Sequence, residues 1–118
     1  MNKALKVAMV LANFLLINLS IGGELAHYNS SLVKFNLPQG WTLGEVAGIA
    51  KTSYGHFIVL HRGEHQLLEF DQDRNFIREF GQGLLKNPHG LRLDRQGNIW
   101  ATDSDRHLVL RFSPAGEV

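Results

Sequence analysis

The chain has 118 residues, a length typical of one domain, and its 44% hydrophobic and 19% charged residues match an ordinary globular protein. It has no cysteine, which excludes disulfides and thiolate metal sites and leaves histidine, carboxylate and carbonyl groups as possible ligands. The net charge is +1, and Lys3 and Lys6 both lie near the N-terminus, so the nearly neutral remainder gives no support for nucleic-acid binding.

The N-terminal segment has the order of features that is typical of a secretory signal peptide. Two lysines precede an almost wholly apolar run at 7–19, and small residues follow at Ser20, Gly22 and Gly23. This run is shorter than the roughly 20 apolar residues of a membrane-spanning helix. We therefore predict a signal helix and peptide over 1–22 and a secreted or periplasmic protein. An uncleaved membrane anchor and a buried helix are the alternatives.

Residues 23–45 are predicted to form a linker and a lead-in strand. The segment begins with polar, unpatterned residues, which favour a linker, and 32–36 is a short strand candidate. A turn is expected at 38–40, where proline and glycine punctuate the chain. Trp41 and Leu43 are expected to pack on the first sheet, because a tryptophan has a large apolar area to bury.

From residue 46 onward the chain repeats itself at an offset of 42 residues. The two units share Gly48, Gly55, His65, Leu68 and Phe70 with their equivalents, together with matching apolar positions. Short apolar runs separated by turn residues predict strands, and no helical periodicity is present outside the signal peptide. The predicted strands are 46–50, 56–61, 66–71 and 75–80 in the first unit, and 90–94, 98–103 and 107–113 in the second.

Four strands in about 42 residues is the blade period of a β-propeller. The residues from Gly90 to Trp100 have the pattern G-x-x-x-D-x-x-G-N-I-W, which resembles an NHL repeat. We predict an all-β fold with about two NHL-like blades, 46–86 and an incomplete 87–118. A closed ring needs about four or more blades, and open sheet edges invite aggregation. We therefore expect an incomplete ring from a longer propeller, and dimerisation through the open edges is the less favoured alternative.

The first strand of each blade is the innermost one, and in a propeller these strands line a central channel around the axis. Two positions on the predicted innermost strands, 46–50 and 90–94, could contribute to metal sites. Ile49 and Leu91 are equivalent in the repeat, so their carbonyl groups could both accept a Ca²⁺ ion on the propeller axis. Pro88 and Gly90 hold His89 rigidly at the channel mouth, which suits a metal ligand. A lone histidine is nevertheless more often structural, and a Zn²⁺ site needs about three protein ligands.

Arg62 departs from the repeat, because the equivalent end of the second unit is acidic. A guanidinium group at a strand end near the channel is suited to binding a carboxylate through two hydrogen bonds. A surface ion pair with Glu64 or Asp105 is the alternative, and the residues alone leave both open.

Several other positions are assigned structural roles. Asp94 and Asp103 are expected to accept hydrogen bonds from turn amides, and Trp100 and Phe112 to lie in the core between the sheets. The equivalence of His65 with His107 favours a blade-packing role, since repeats preserve their packing positions. Leu84 and Leu85 are expected to seal the junction between the units.

Five motifs, taken in order, resemble those of peptidylamidoglycolate lyase, the lyase part of the peptidyl-glycine α-amidating system, including its secreted bacterial relatives. They are L-P-x-G-W at 37–41, G-I-A at 48–50, H-R-G at 61–63, P-H-G-L at 88–91 and I-W-A-T-D at 99–103. The resemblance covers about residues 33–117, which implies roughly the first third of a six-bladed propeller.

The resemblance implies the cleavage of a peptidyl-α-hydroxyglycine, a small peptide-like substrate, into a peptide amide and glyoxylate. It implies that Arg62 is the catalytic arginine, which would stabilise a carboxylate or a developing oxyanion. It implies that His89 is one of three zinc-binding histidines, and that Ile49 and Leu91 give backbone carbonyls to a structural calcium. Zn²⁺ and Ca²⁺ are thus the expected cofactors.

The sequence also departs from the family pattern. The other two zinc histidines, the catalytic tyrosine and the calcium-binding aspartate lie further along the family chain, and Thr52 replaces an acidic residue. We expect the 118-residue chain alone to be inactive and to bind zinc poorly. The alternative is a non-catalytic NHL propeller that serves as a binding scaffold, since one fold hosts many functions. A stand-alone two-blade interaction protein would form a discrete oligomer.

Overall fold

A computed structural model describes residues 27–118, and the predicted signal peptide lies outside the described residues. Residues 27–32 are exposed and have no regular secondary structure, whereas 33–118 form one compact unit. Across the described part of the chain, no helix has the length and hydropathy required to cross a membrane.

Residues 33–118 contain seven strands in two antiparallel sheets, and within each sheet the strands follow one another in chain order. The first sheet comprises β1 (Glu45–Lys51), β2 (Phe57–Arg62), β3 (Leu67–Phe70) and β4 (Phe76–Glu79). The second comprises β5 (Pro88–Leu93), β6 (Ile99–Asp103) and β7 (Leu108–Phe112). The predicted all-β class is confirmed, and two such meandering sheets are consistent with a partial β-propeller.

The segment before β1 differs from the prediction, because 32–36 makes one isolated bridge rather than a strand. Asn36 pairs in parallel with Asn75, and the Asn36 backbone N–H donates to the Arg74 carbonyl at 2.9 Å. The predicted turn follows at once, with Trp41 N–H donating to the Pro38 carbonyl at 3.1 Å. The segment is therefore joined to the sheet both by this bridge and by the packing of its apolar side chains.

The main core lies between the two sheets. The first sheet and the loop after it contribute Ile58, Leu60, Leu67, Phe80 and Leu85, and the second contributes Leu91, Ile99, Ala101 and Phe112. Full burial of a leucine or phenylalanine side chain contributes roughly 1.5–3 kcal/mol. Leu85 is 5% exposed, and Leu84 packs against the same cluster, so both leucines seal the junction as predicted.

A second cluster covers the other face of the first sheet. The side chains of Val59, Leu68 and Phe70 are buried there beneath the lead-in segment 35–43. The Trp41 ring stacks on His65 with centroids 3.3 Å apart and planes 4° from parallel. This arrangement confirms the packing expected of Trp41 and its neighbour Leu43.

The equivalence of His65 and His107 has a backbone cause. Both adopt a left-handed conformation, with φ of 35° and 53°, in the turn before the third strand of each sheet. Histidine is among the non-glycine residues enriched in this region. His65 packs on Trp41 whereas His107 is exposed, so the predicted packing role holds for His65 alone.

The prediction that Trp100 lies in the core is wrong. Strand β6 alternates, so Ile99 and Ala101 face the first sheet while Trp100 points away and is 38% exposed. The Trp100 indole N–H donates to Asp94 Oδ2 at 3.0 Å. Phe112, by contrast, is fully buried as predicted.

Candidate functional site

Two of the candidate residues inferred from the sequence, Arg62 and His89, meet at one edge of the two sheets. Arg62 ends β2, while Glu45 begins β1 directly opposite it, because the two strands are antiparallel and paired at these residues. His89 is the second residue of β5, the innermost strand of the second sheet. The structure therefore brings Arg62 and His89 together across the junction between the sheets.

Three groups contact the Arg62 guanidinium. Its Nε donates to the Pro88 carbonyl at 3.1 Å, and its Nη1 donates to Glu45 Oε2 at 3.0 Å. Its Nη2 lies 3.2 Å from His89 Nδ1. The predicted alternative partners, Glu64 and Asp105, are not the ones that bind it. Arg62 thus links both sheets and has a carboxylate already in contact.

The contact with Arg62 determines which ring nitrogen of His89 carries the hydrogen. A guanidinium group only donates hydrogen bonds, so His89 Nδ1 must accept, and Nε2 of the neutral ring carries the hydrogen. A metal at Nδ1 would displace Arg62, whereas a metal at Nε2 would require a hydrogen on Nδ1, facing the guanidinium. In residues 27–118 no group of three or more histidine and acidic side chains could hold a metal. The described residues therefore do not form a zinc site.

The two proposed calcium ligands occupy equivalent places. Ile49 pairs with Val59 in the first sheet, and Leu91 pairs with Ala101 in the second, which preserves the 42-residue offset. The Leu91 carbonyl accepts a hydrogen bond from Arg92 Nη1 at 2.8 Å. Calcium takes about 6–8 oxygen ligands. These two carbonyls supply a small part of such a shell, and one of them already faces a cation.

Two glycines explain why the end of β2 is so compact. A Cβ atom on Gly44 would collide with the Arg62 carbonyl, and one on Gly63 would lie 2.9 Å from the His61 ring. The His61 side chain is completely buried, and its Nδ1 accepts a hydrogen bond from the Gly44 backbone N–H at 3.0 Å. Burial lowers the pKa of His61, which favours the neutral ring that this bond requires.

The sequence analysis places His61 at the end of a predicted strand and in the H-R-G motif, but assigns it no role. The repeat contained the signal, since His61 aligns with Asp103, whose carboxylate also accepts backbone hydrogen bonds at the end of its strand. That role for Asp103, and the similar role of Asp94, are confirmed.

A cavity of about 380 Å³ lies beside His89 on the side of the innermost strands. Its lining includes His89, Arg92, Trp100 and Thr102 and contains no acidic side chain. Arg92 could bind an anionic group of a ligand, and Trp100 could pack against an uncharged part of the same ligand.

Comparisons with known proteins agree with the motifs. Residues 85–112 match the NHL repeat. The chain is 31% identical over 100 residues to peptidyl-glycine alpha-amidating monooxygenase B of Xenopus laevis, an alignment covering 64% of this chain and 11% of the relative. It is 26% identical over 98 residues to peptidyl-alpha-hydroxyglycine alpha-amidating lyase 2 of Drosophila melanogaster, covering 62% of this chain and 24% of the relative.

A third relative has a different description. The chain is 31% identical over 65 residues to the B-box type zinc finger protein ncl-1 of Caenorhabditis elegans, covering 54% of this chain and 8% of that protein. The matches confirm the predicted resemblance to amidating lyases and the NHL character of the second blade. The chain spans about a quarter or less of the length of these relatives.

Proposed function

We propose that the chain forms part of a lyase that cleaves a peptidyl-α-hydroxyglycine into a peptide amide and glyoxylate, with Arg62 acting on the substrate. The observation that carries the proposal is the position of the Arg62 guanidinium, which reaches from β2 to His89 at the edge shared by both sheets. The similarity to amidating lyases supports the reaction class.

The reaction needs one proton removed and one supplied. The hydroxyl group of the substrate loses its proton, its C–O bond becomes the aldehyde C=O of glyoxylate, and the C–N bond breaks. The electron pair of that bond goes to nitrogen, which takes up a proton to complete the amide. Arg62 would bind the adjacent carboxylate or stabilise the negative charge that develops on the oxygen. Loss of one such donor typically lowers kcat about 10²–10³-fold.

The metal ions belong to the proposal through the resemblance. His89 would supply one nitrogen ligand to zinc, and Ile49 and Leu91 would supply carbonyl oxygens to calcium. Zinc would act as a Lewis acid near the reacting oxygen. Because the described residues do not complete either site, the role derived for Arg62 passes through neither ion.

Glyoxylate release from an α-hydroxyglycine peptide, measured with and without a chelator, tests the function. The sample is the protein made from the complete gene. In it, Arg62→Ala should lower kcat about 10²–10³-fold. Arg95→Ala is the matched control, since Arg95 is an exposed arginine in the turn after β5. Normal turnover by Arg62→Ala would remove Arg62 from the reaction.

The 118-residue chain by itself is expected to release no glyoxylate and to bind zinc weakly, since its described part offers no three-ligand group. Tight zinc binding in a competition titration against a chromogenic chelator would contradict this. We also propose a secreted or periplasmic location from the segment 1–22. N-terminal sequencing of the exported protein would show whether that segment is removed.

A non-catalytic binding scaffold is the second candidate. The match to a B-box type zinc finger protein favours it, and so does the Glu45 carboxylate that already occupies Arg62. A complete gene product that releases no glyoxylate under any metal condition, yet is folded, would support the scaffold and contradict the lyase.

A further inference from the structure

We propose that Glu45 occupies the carboxylate-binding edge of Arg62 and is exchanged for the carboxylate of the ligand. The inference rests on the proposed function, in that it takes Arg62 as the group that binds an anionic substrate. Glu45 is then a residue that tunes affinity and selectivity.

The geometry of the pair is that of a ligand contact. Glu45 Oε2 lies 3.0 Å from Arg62 Nη1, and Nη2 of the same guanidinium faces His89. A carboxylate that binds an arginine through two parallel hydrogen bonds uses two of its N–H groups. Glu45 makes one such bond, so a ligand that makes two has an advantage in replacing it.

Arg62 does not depend on Glu45 for its position. Its Nε is held by the Pro88 carbonyl at 3.1 Å, and its Nη2 by His89, both from the second sheet. The backbone at Arg62 is fixed by its close approach to Gly44. Removal of the Glu45 charge should therefore leave the guanidinium in place and accessible.

The pair is also weak enough to exchange. The Glu45 side chain is 80% exposed, whereas that of Arg62 is 38% exposed. Exposed ion pairs of this kind change an equilibrium by about 1.4- to 5-fold, because water screens them and both side chains lose freedom. Glu45 would thus lower the affinity for any carboxylate by a few-fold, and a ligand with a single weak contact would fail to replace it.

The neighbouring acidic residues provide a matched control. Glu64 is exposed and lies two residues from Arg62 in the chain, but Arg62 donates to Glu45 instead. Glu79 is engaged with His65 at 2.9 Å. Glu64→Gln removes the same charge from the same edge without touching the contact, so it separates a specific exchange from a general change in potential.

The experiment uses the 118-residue chain and N-acetylglycine, an unreactive peptide-like carboxylate, with N-acetylglycinamide as the probe that lacks the charge. Binding is followed by the NMR signals of the ligand, which report on every variant, Arg62→Ala included. Glu45→Gln is expected to bind N-acetylglycine about two- to fivefold more tightly than the wild type, while Glu64→Gln binds it unchanged. None of the variants should gain affinity for the amide, and near-ultraviolet circular dichroism verifies that each is folded.

The outcomes distinguish the two proposals. If Arg62→Ala loses binding but Glu45→Gln binds no more tightly than the wild type, the exchange is refuted and the role of Arg62 stands. If Arg62→Ala binds N-acetylglycine like the wild type, the carboxylate role of Arg62 fails and the exchange fails with it. Undetectable binding by Glu45→Gln also overturns the exchange.

Discussion

The two sheets carry the same repeat, and the equivalent face of each is buried beneath a different part of the chain. Phe70 and Phe112 are equivalent and both fully buried, but Phe70 lies beneath the lead-in segment whereas Phe112 packs against the first sheet. The lead-in segment thus takes, on the first sheet, the place that the first sheet takes on the second. The repeat determines which face of each sheet is apolar and must be buried. The part of the chain that packs on that face differs between the two sheets.

The same comparison explains the exposure of Trp100. Its equivalent is Ile58, which is fully buried because the second sheet covers it. In the described residues nothing equivalent covers Trp100 or Val109, which are 38% and 65% exposed. The tryptophan occupies a position that is core in one unit and surface in the other.

The ends of the second strands differ in chemistry rather than in role. Asp103 accepts hydrogen bonds from the backbone N–H groups of Asn87 and Arg106 at 2.9 and 2.8 Å, and also from that of Lys86. His61 accepts one, from Gly44, and its Nε2 has no partner among the described residues. His61 thus binds the backbone before β1 without placing a negative charge next to Arg62. The carboxylate that Arg62 contacts is that of Glu45.

The largest effects should come from the two equivalent phenylalanines. Phe112→Ala and Phe70→Ala should each lower the free energy of unfolding by about 3–5 kcal/mol, because each leaves a cavity in a buried cluster. Urea unfolding followed by far-ultraviolet circular dichroism measures both. A cost below about 1 kcal/mol for Phe70→Ala would mean that the lead-in segment does not cover the first sheet in solution.

The two tryptophans should differ in the same direction. Trp41→Ala should lower the free energy of unfolding by about 3 kcal/mol, since the half-buried ring packs on His65 and Phe76. Trp100→Ala should cost about 1 kcal/mol or less, because it is a surface substitution. Thermal unfolding of the two variants under one buffer compares them, and equal losses would contradict the difference in burial.

As pH falls, the hydrogen bond from Gly44 to His61 in the first unit should weaken before the hydrogen bonds to Asp103 in the second. Burial lowers the pKa of His61 below 6.5, so the stability it contributes is complete above pH 6.5 and is lost as pH falls through its lower folded-state pKa. Burial raises the pKa of Asp103, but backbone N–H groups led by that of Lys86 outweigh this and bring it below 3.8. Its contribution is therefore lost only below pH 3.8.

Hydrogen exchange at Gly44 and Asn87, measured between pH 7.5 and pH 4.5 and corrected for intrinsic rates, tests this order. Protection at Gly44 should begin to fall once the pH drops below 6.5, while Asn87 keeps its protection. A His61→Gln variant, with an amide that does not titrate, should remove the pH dependence at Gly44. If Gly44 and Asn87 lose protection at the same pH, the His61 and Asp103 contacts do not break independently.

The smallest effect concerns the turns that follow the innermost strands. Asp94 has a pKa of about 2, because the Trp100 indole N–H and then Asn98 donate to it. Its equivalent, Thr52, accepts one hydrogen bond, from the His56 backbone N–H at 2.9 Å. Trp100→Phe should raise the pKa of Asp94 towards 3.8 with little change in stability. An NMR titration of the carboxyl carbon measures it, and an unchanged pKa would exclude the indole contact.

Much of the fold could be predicted because its signals are local. All seven strands were expected within about two residues of their observed ends, since alternation and turn residues act over a few positions. The lead-in strand at 32–36 was predicted wrongly, because its backbone pairs with the sheet through one isolated bridge at Asn36. For the site, the repeat and the motifs singled out Arg62 and His89, but not the partner that Arg62 binds.

The sequence by itself determined the repeat, the all-β class, the turns and the two residues most suited to chemistry. Each follows from residue type and from spacing along the chain, within one unit or between the two. Only the tertiary structure decided that Arg62 crosses to Pro88 and His89, that Glu45 occupies its guanidinium, and that Trp100 lies on the surface. The physical reason is that these contacts join or cover segments well apart in the chain, and their geometry depends on how the two sheets pack.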